Sequence, residues 1–197
     1  VMLQQTRMEV VLRYFDRFAG RIPTVATLAS SPDQDLLAAW SGLGYYRRAR
    51  MLAAGAREVV DRFGGEIPRD AASLRSIPGI GRYTAGAIAS IAYGQREPIV
   101  DGNVARVLAR IYAIEKPVMT TAWRHAGELI QKSADPRAFN QGLMELGALV
   151  CTPQKPDCPK CPIRKQCTAY GTDRVEFFPP PREKRVARKE IVPLYLI

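Results

Sequence analysis

Apolar side chains recur along most of this chain at the three- to four-residue spacing of amphipathic helices. A clear example is the run formed by Val104, Val107, Leu108 and Ile111. The same spacing predicts further helices over residues 10–18, 36–40, 49–60, 123–133 and 139–150. The strand-like alternation of apolar and polar residues occurs only at 191–197. The pattern therefore predicts an all-α fold.

Residues 76–88 contain the signals of a tight turn between two short helices. Pro78, Gly79 and Gly81 are incompatible with a continuous helix and predict a hairpin around Ile80. Small residues follow Thr84, so a neighbouring element can approach the second helix closely. Unpaired backbone N–H groups at such a turn suit a phosphate group. A plain helical packing unit fits the same pattern.

Asp101 follows the second hairpin helix and precedes the predicted helix at 103–111. A carboxylate in this position is most often an ordinary helix N-cap. The helix dipole also stabilises a negative charge there, and such a charge can stabilise a positively charged sugar in a catalytic site. The residues alone leave both roles open.

All four cysteines lie in one short segment: Cys151, Cys158, Cys161 and Cys167. Disulfides, a structural zinc site and a [4Fe–4S] cluster are the three interpretations. Disulfides fit poorly, because the rest of the chain has no cysteine and is typical of an intracellular helical protein. Zinc sites usually pair two Cys-x2-Cys clips, and only one clip is present here. A [4Fe–4S] cluster tolerates uneven spacing, so we favour the cluster over zinc.

The chain is strongly basic, with 29 Lys and Arg against 19 Asp and Glu and a formal net charge of +10. Such a charge indicates a polyanionic partner, most simply nucleic acid. An anionic membrane surface is the alternative, but no apolar run is long enough to span a bilayer. No segment resembles a signal peptide. We therefore expect a cytoplasmic nucleic-acid-binding protein.

Together these motifs resemble the iron–sulfur branch of the helix-hairpin-helix DNA glycosylases, which contains endonuclease III and the MutY-type adenine glycosylases. The hairpin at 77–81, Asp101 and the cysteine segment carry the resemblance. Finer motifs of the MutY type lie at residues 2–6, 40–50, 100–104 and 139–148.

The resemblance implies two lobes with DNA held between them. Residues 1–98 would form a six-helix lobe with the hairpin, and 99–171 a cluster lobe that is incomplete without upstream helices. A linker at 172–190 and the start of a truncated C-terminal domain at 191–197 would follow.

The resemblance also implies the activity. The enzyme would remove adenine mispaired with 8-oxoguanine or guanine from double-stranded DNA, as a monomer and, in a bacterium, at the nucleoid. Asp101 would stabilise the sugar cation, and Asn103 would orient Asp101 or a water molecule. Lyases of the superfamily carry a lysine where this chain has Tyr83, and a phenol cannot form a Schiff base. Tyr83 therefore indicates a monofunctional glycosylase, although it also fits a plain packing residue.

Three other functions remain open: a thymine-mismatch glycosylase, an endonuclease III-like lyase, and a non-catalytic iron–sulfur protein that binds DNA. In the MutY-type family a glutamate that protonates adenine lies immediately before the position of Val1. We therefore expect the 197-residue chain by itself to have little or no activity.

Contacts with DNA are implied at one further set of positions: Leu3, Gln4, Gln5, Thr6, Tyr45, Arg48, Gly79, Ile80, Gly81 and Gln141. Gln5 would fill the space left by the displaced base, and Tyr45 would stack beside 8-oxoguanine. For Tyr45, a buried packing role is the alternative. Gln141 would bind the edge of adenine. Arg48 would meet a phosphate or lie on a solvated face.

Overall fold

The computed structural model of the chain describes residues 1–181. These residues form helices and connecting loops without a strand, so the prediction of an all-α fold is confirmed. The predicted tail at 191–197 and residues 182–190 of the predicted linker lie outside the described residues. In chain order the α-helices are α1 (Met8–Arg21), α2 (Val25–Ser30), α3 (Asp33–Trp40), α4 (Arg47–Phe63), α5 (Ala71–Ser76), α6 (Arg82–Ala87), α7 (Gly102–Ile111), α8 (Val118–Gln131), α9 (Pro136–Glu145) and α10 (Thr168–Gly171).

Two α-helices continue directly into π-helical turns. The first turn, Ile88–Ala92, extends α6, and the second, Leu146–Val150, extends α9. Short 3-10 turns follow at Cys158–Lys160, Arg164–Gln166 and Val175–Phe177. Each π turn is therefore part of a longer helix, and the second one leads straight into the cysteine segment.

Local sequence explains where several helices begin and end. The Oγ1 of Thr24 accepts a hydrogen bond from the Thr27 N–H at 3.0 Å and starts α2. Asp70 caps α5 in the same way, and Gly64 ends α4 in the left-handed conformation at φ +62°. Helix α8 begins at Val118, five residues before the predicted start at 123.

Three clusters of buried side chains hold these helices together. The first packs α1 to α4, where the rings of Phe18 and Trp40 meet edge to face with centroids 5.8 Å apart. The second joins α4, α5 and α6 around Leu74. The third packs α7, α8 and α9 around Leu108. Among residues 1–181, no helix has the length and apolar character needed to cross a membrane.

A buried polar contact joins the hairpin helix to α9. Asn140 is fully buried, and its Nδ2 donates to the Ser90 Oγ at 2.8 Å and to the Glu97 carbonyl at 2.9 Å. Ser90 in turn donates to the Gly86 carbonyl at 2.7 Å. Because residue 97 lies just before α7, this contact fixes the start of α7 relative to the hairpin.

The close packing of α6 against residue 98 predicts a destabilising effect of Gly86→Ala. An added Cβ would lie 2.5 Å from the Pro98 carbonyl oxygen, a main-chain atom that moves only with the start of α7. We expect the free energy of unfolding to fall by about 1–3 kcal/mol in urea denaturation.

Gly127→Ala in α8 is the matched control, because its added Cβ would have no neighbour within 4 Å. Alanine favours a helix over glycine by up to about 1 kcal/mol, so this variant should be as stable as the wild type or more stable. Equal destabilisation by both substitutions would contradict the tight packing at residue 86.

Candidate active site

Asp101 is the N-cap of α7, and both of its carboxylate oxygens are engaged. Its Oδ1 accepts a hydrogen bond from the Val104 N–H at 2.8 Å, and its Oδ2 accepts one from the Asn103 Nδ2 at 3.3 Å. The side chain is half-buried, so solvent or a substrate can still reach it. The structure thus gives Asp101 the ordinary capping geometry and a hydrogen bond from Asn103. The catalytic role of Asp101 and the orienting role of Asn103 stay predictions.

Tyr83 lies on α6 within electrostatic reach of Asp101. Burial raises the pKa of the Tyr83 phenol, and the negative charge of Asp101 raises this pKa further. The hydroxyl donates to the Met144 Sδ at 3.2 Å. The phenol therefore stays protonated at neutral pH, as a hydrogen-bond donor beside the carboxylate.

Arg106 connects this carboxylate to the cysteine segment. Its Nη2 donates to the Asn103 Oδ1 at 2.9 Å and to the Gly147 carbonyl at 2.6 Å, and its Nε donates to the Cys151 carbonyl at 2.9 Å. Gly147 permits the close approach, because an added Cβ would lie 2.9 Å from the Asn103 Cβ. A continuous series of hydrogen bonds therefore joins Asp101 to the backbone of the first cysteine.

The four cysteines line one cavity with an empty volume of about 300 Å³. None of them forms a disulfide within the described chain, so the disulfide interpretation is wrong for this structure. Burial raises the pKa of the Cys158 and Cys161 thiols, and the neighbouring cysteines raise it further.

Four thiolate donors facing one space fit an iron–sulfur cluster or zinc. Within residues 1–181, no three His, Cys, Asp or Glu side chains lie in positions from which they could together hold a metal ion.

Arg110, which is 3% exposed, lies directly beside this cavity. Its Nη1 donates to the Cys151 Sγ at 3.3 Å and to the Thr152 carbonyl at 2.7 Å, and its Nε donates to the Phe178 carbonyl at 2.9 Å. A single guanidinium thus holds the start of the cysteine segment and residue 178, which follows that segment, against α7.

The hairpin presents free backbone donors, as predicted. Gly79 is in the left-handed region at φ +83°, and the Ile80 N–H closes the turn on the Ile77 carbonyl at 3.1 Å. Neither Gly79 nor Gly81 donates its N–H to an acceptor in the described part of the chain, and no side chain caps α6. These N–H groups are available to an anion.

A groove with an empty volume of about 910 Å³ lies between the first residues and the start of α4. Its lining includes Gln4, Gln5, Tyr45 and Gly79. The Gln4 Nε2 donates to the Thr84 Oγ1 at 3.2 Å, which brings the groove next to the hairpin. Tyr45 is 64% exposed, so the alternative that it is a buried packing residue is wrong.

Arg48 has a role that the sequence did not indicate. Its guanidinium donates to the carbonyls of Val1 at 3.3 Å, Met2 at 2.8 Å and Leu43 at 3.3 Å, and also to the carbonyl of Gln4. The interpretation as a solvated surface residue is therefore wrong. The phosphate contact stays a prediction, as do the contacts of exposed Leu3, half-buried Thr6 and exposed Gln141.

Two further side chains of the site were not predicted, Arg110 and Met144. The sequence did carry a signal for Arg110, because Arg106 and Arg110 are spaced four residues apart within a helix whose other faces are apolar or small. A charged side chain on a buried helix needs several acceptors and often supports a site. Met144 carried no such signal, because a methionine at helical spacing is typical of an ordinary core residue.

The chain is similar to known DNA repair proteins. The family described as HhH-GPD superfamily base excision DNA repair protein matches residues 1–132. The adenine DNA glycosylase of Rattus norvegicus is 48% identical over 187 residues, which cover 91% of this chain and 36% of the relative. That of Homo sapiens is 49% identical over 86% of this chain and 32% of the relative. The chain thus spans about a third of the length of these curated relatives.

Solved structures show the same architecture. A thermostable thymine-DNA glycosylase superimposes with a TM-score of 0.78 at 29% identity, covering 87% of this chain and 81% of that one. An endonuclease III in a non-covalent complex with DNA superimposes with a TM-score of 0.70 at 26% identity, covering 88% and 81%.

The effect of the Asp101 charge on Tyr83 can be measured without substrate. In Asp101→Asn we expect the pKa of the Tyr83 phenol to fall, because the carboxylate no longer opposes formation of the phenolate. Ultraviolet titration of the wild type, Asp101→Asn and Tyr83→Phe isolates this phenol among the eight tyrosines.

Asp70→Asn is the matched control, since Asp70 also caps a helix but does not act on Tyr83. An unchanged Tyr83 titration in Asp101→Asn would show that the two side chains are too far apart to interact.

Proposed function

The chain belongs to the HhH-GPD superfamily of base excision DNA repair proteins, and from this membership we propose that it is a monofunctional DNA glycosylase for adenine mispaired with 8-oxoguanine or guanine. The adenine specificity rests on the name shared by its curated relatives. The observation that carries the proposal is the Asp101 carboxylate, held by Asn103 at the start of α7 within electrostatic reach of Tyr83 on the hairpin helix, in a chain whose hairpin has free N–H groups.

The partner in this proposal is double-stranded DNA, bound by a monomer of the protein. The hairpin N–H groups hold a backbone phosphate next to the mispair, which fixes the strand relative to α7. The adenine leaves the base stack so that its sugar can approach Asp101. Gln5 and Tyr45 line the adjoining groove. Gln5 fills the space that the adenine leaves in the base stack, and Tyr45 stacks beside the opposite base.

The reaction breaks the bond between the sugar C1′ and the adenine N9. As the bond electrons leave with adenine, positive charge develops on the sugar, and the Asp101 carboxylate stabilises that charge. Water then adds to C1′ and loses a proton, and the departing adenine takes up a proton, so the products are free adenine and an abasic sugar. Asn103 keeps the Asp101 Oδ2 in place during these steps.

Tyr83 makes the proposed enzyme monofunctional. A lyase needs an amine that forms a Schiff base with C1′, and a protonated phenol cannot supply one. With its raised pKa, Tyr83 serves as a neutral hydrogen-bond donor near the reacting sugar.

The proposed cofactor is a [4Fe–4S] cluster held by Cys151, Cys158, Cys161 and Cys167. These thiols face one cavity, and soft thiolates are the ligands that such clusters take. When bound, the cluster would supply a covalent cross-link within the segment. Arg106 and Arg110 on α7 bind the backbone of that segment. A cross-linked segment would therefore also restrain α7 and, with it, Asp101.

A thymine-mismatch glycosylase is the second candidate, because a thymine-DNA glycosylase superimposes on this chain with a TM-score of 0.78. The two functions differ in the base that is released. The choice of duplex in the kinetic test therefore separates them.

Single-turnover base release tests the proposed reaction. Duplexes with A opposite 8-oxoguanine, A opposite G and T opposite G are incubated with this chain and with any longer protein that contains it. We expect little or no release by the 197-residue chain alone. With the longer protein we expect adenine release from the first two duplexes and an intact strand until alkali is added. Asp101→Asn should slow release by about 10²- to 10³-fold or more, because a charge aimed at the transition state is lost.

Asp70→Asn, which removes a comparable helix cap, should leave the rate of base release unchanged. Release of thymine from T opposite G would favour the second candidate. Strand cleavage without alkali would contradict the monofunctional assignment. No base release by any form of the protein, with DNA binding retained, would favour a non-catalytic DNA-binding protein.

Metal analysis tests the proposed cofactor. The purified protein should contain about four iron atoms and four sulfides per chain, with a brown colour. Cys158→Ser should lose most of the iron, because it removes one of four ligands. Zinc in place of iron would overturn the cluster assignment without affecting the proposed reaction at Asp101.

A further inference from the structure

Arg82, the first residue of α6, stacks on a tryptophan from another part of the fold. Its guanidinium carbon lies 3.8 Å from the ring centroid of Trp123 on α8. The other arginine–aromatic pairs of residues 1–181 are separated by 5.1 to 5.7 Å. At this distance the guanidinium is in direct contact with the face of the ring, where the attraction between a cation and an aromatic ring is strong.

The stacked guanidinium keeps its hydrogen-bond donors free. Contact with a ring uses the flat face of the group, whereas the N–H groups point outward in its plane. In the part of the chain that the structure describes, Arg82 has no carboxylate or carbonyl acceptor for these N–H groups. Arg48, Arg106 and Arg110 differ, because backbone carbonyls take up their donors.

The position of Arg82 gives these donors a natural ligand. Arg82 directly follows Gly81, whose N–H is one of the free donors of the hairpin, and it directly precedes Tyr83. The side chain is exposed, whereas Trp123 is half-buried in the packing of α8. A ring therefore holds a positive charge with free donors on the residue that directly follows the hairpin, whose backbone N–H groups suit an anion.

We propose that Arg82 binds a phosphate of the DNA strand held by the hairpin, and that Trp123 is a positioning residue that fixes the guanidinium for this contact. The inference rests on the DNA binding in the proposed function, but not on the base that is released or on the chemistry at Asp101. Trp123 reduces the number of conformations that Arg82 loses on binding, so it adds affinity without touching DNA.

The salt dependence of duplex binding tests the role of Arg82. Each neutralised phosphate contributes about 0.9 to the slope of log K against log salt concentration. We expect Arg82→Gln to reduce this slope by about 0.9. Binding at about 0.1 M salt should weaken roughly eightfold, which is the contribution of counterion release at one phosphate.

Arg124→Gln is the matched control. It removes the same charge from an exposed position on α8, next to Trp123 in sequence. Its slope should stay close to that of the wild type. An equal loss of slope in both variants would overturn the inference, because the effect of Arg82 would then be one of net charge alone.

Trp123→Leu and Trp123→Phe test the positioning role. The leucine variant keeps the charge of Arg82, so we expect an unchanged slope with affinity about two- to fivefold lower. The phenylalanine variant should recover most of the affinity, because it restores an aromatic face. A merely structural role of Trp123 would not be rescued in this way, and a failure of rescue would overturn this part of the inference.

Fluorescence of the free protein checks the contact in solution. Trp40 is fully buried, so acrylamide quenching reports mainly on half-buried Trp123. Quenching should increase in Arg82→Gln, and unchanged quenching would contradict the stacking. A wild-type protein that does not bind duplex DNA would contradict the proposed function, whereas normal binding with an unchanged slope in Arg82→Gln would overturn only the inference about Arg82.

Discussion

The candidate site depends on the hydrogen bonds that the buried guanidinium of Arg106 donates. Arg106 is 8% exposed and donates to the Asn103 side chain and to the carbonyls of Gly147 and Cys151. A buried charge is costly unless hydrogen bonds replace its water, so the guanidinium and its acceptors hold one another in place. Because Asn103 also binds Asp101, the orientation of the carboxylate depends on how the cysteine segment is seated against α7.

The fold was largely predictable from the sequence, but the origin of the site's rigidity was not. Helical spacing, the glycine pair at 79 and 81 and the cap at Asp101 are local signals, and the structure contains the elements they predict. The contacts of Arg48 and Arg82 join residues far apart in sequence. A single sequence shows that an arginine is present, but not which carbonyls its N–H groups will reach or which ring its flat face will contact.

Arg48 also explains how the groove keeps its shape. Gln5 and Tyr45 both adopt left-handed backbone conformations, at φ +58° and +47°, which cost roughly 1 kcal/mol or more for such residues. Arg48 binds the carbonyls of Met2 and Gln4 on one side and of Leu43 on the other. The same side chain thus holds the backbone next to both strained residues. Strain of this kind persists only where the surroundings enforce it.

The hydrogen bond of Tyr83 to Met144 bears on what the phenol can do. A thioether sulfur is a weak acceptor, so little free energy is lost when the hydroxyl turns to a stronger one. A charged acceptor such as the Asp101 carboxylate, or an oxygen of a bound sugar, forms a stronger hydrogen bond. The raised pKa keeps the proton on Tyr83 for that exchange. The contact with Met144 therefore holds the phenol in a defined position at low cost, while leaving its proton available to whatever binds beside Asp101.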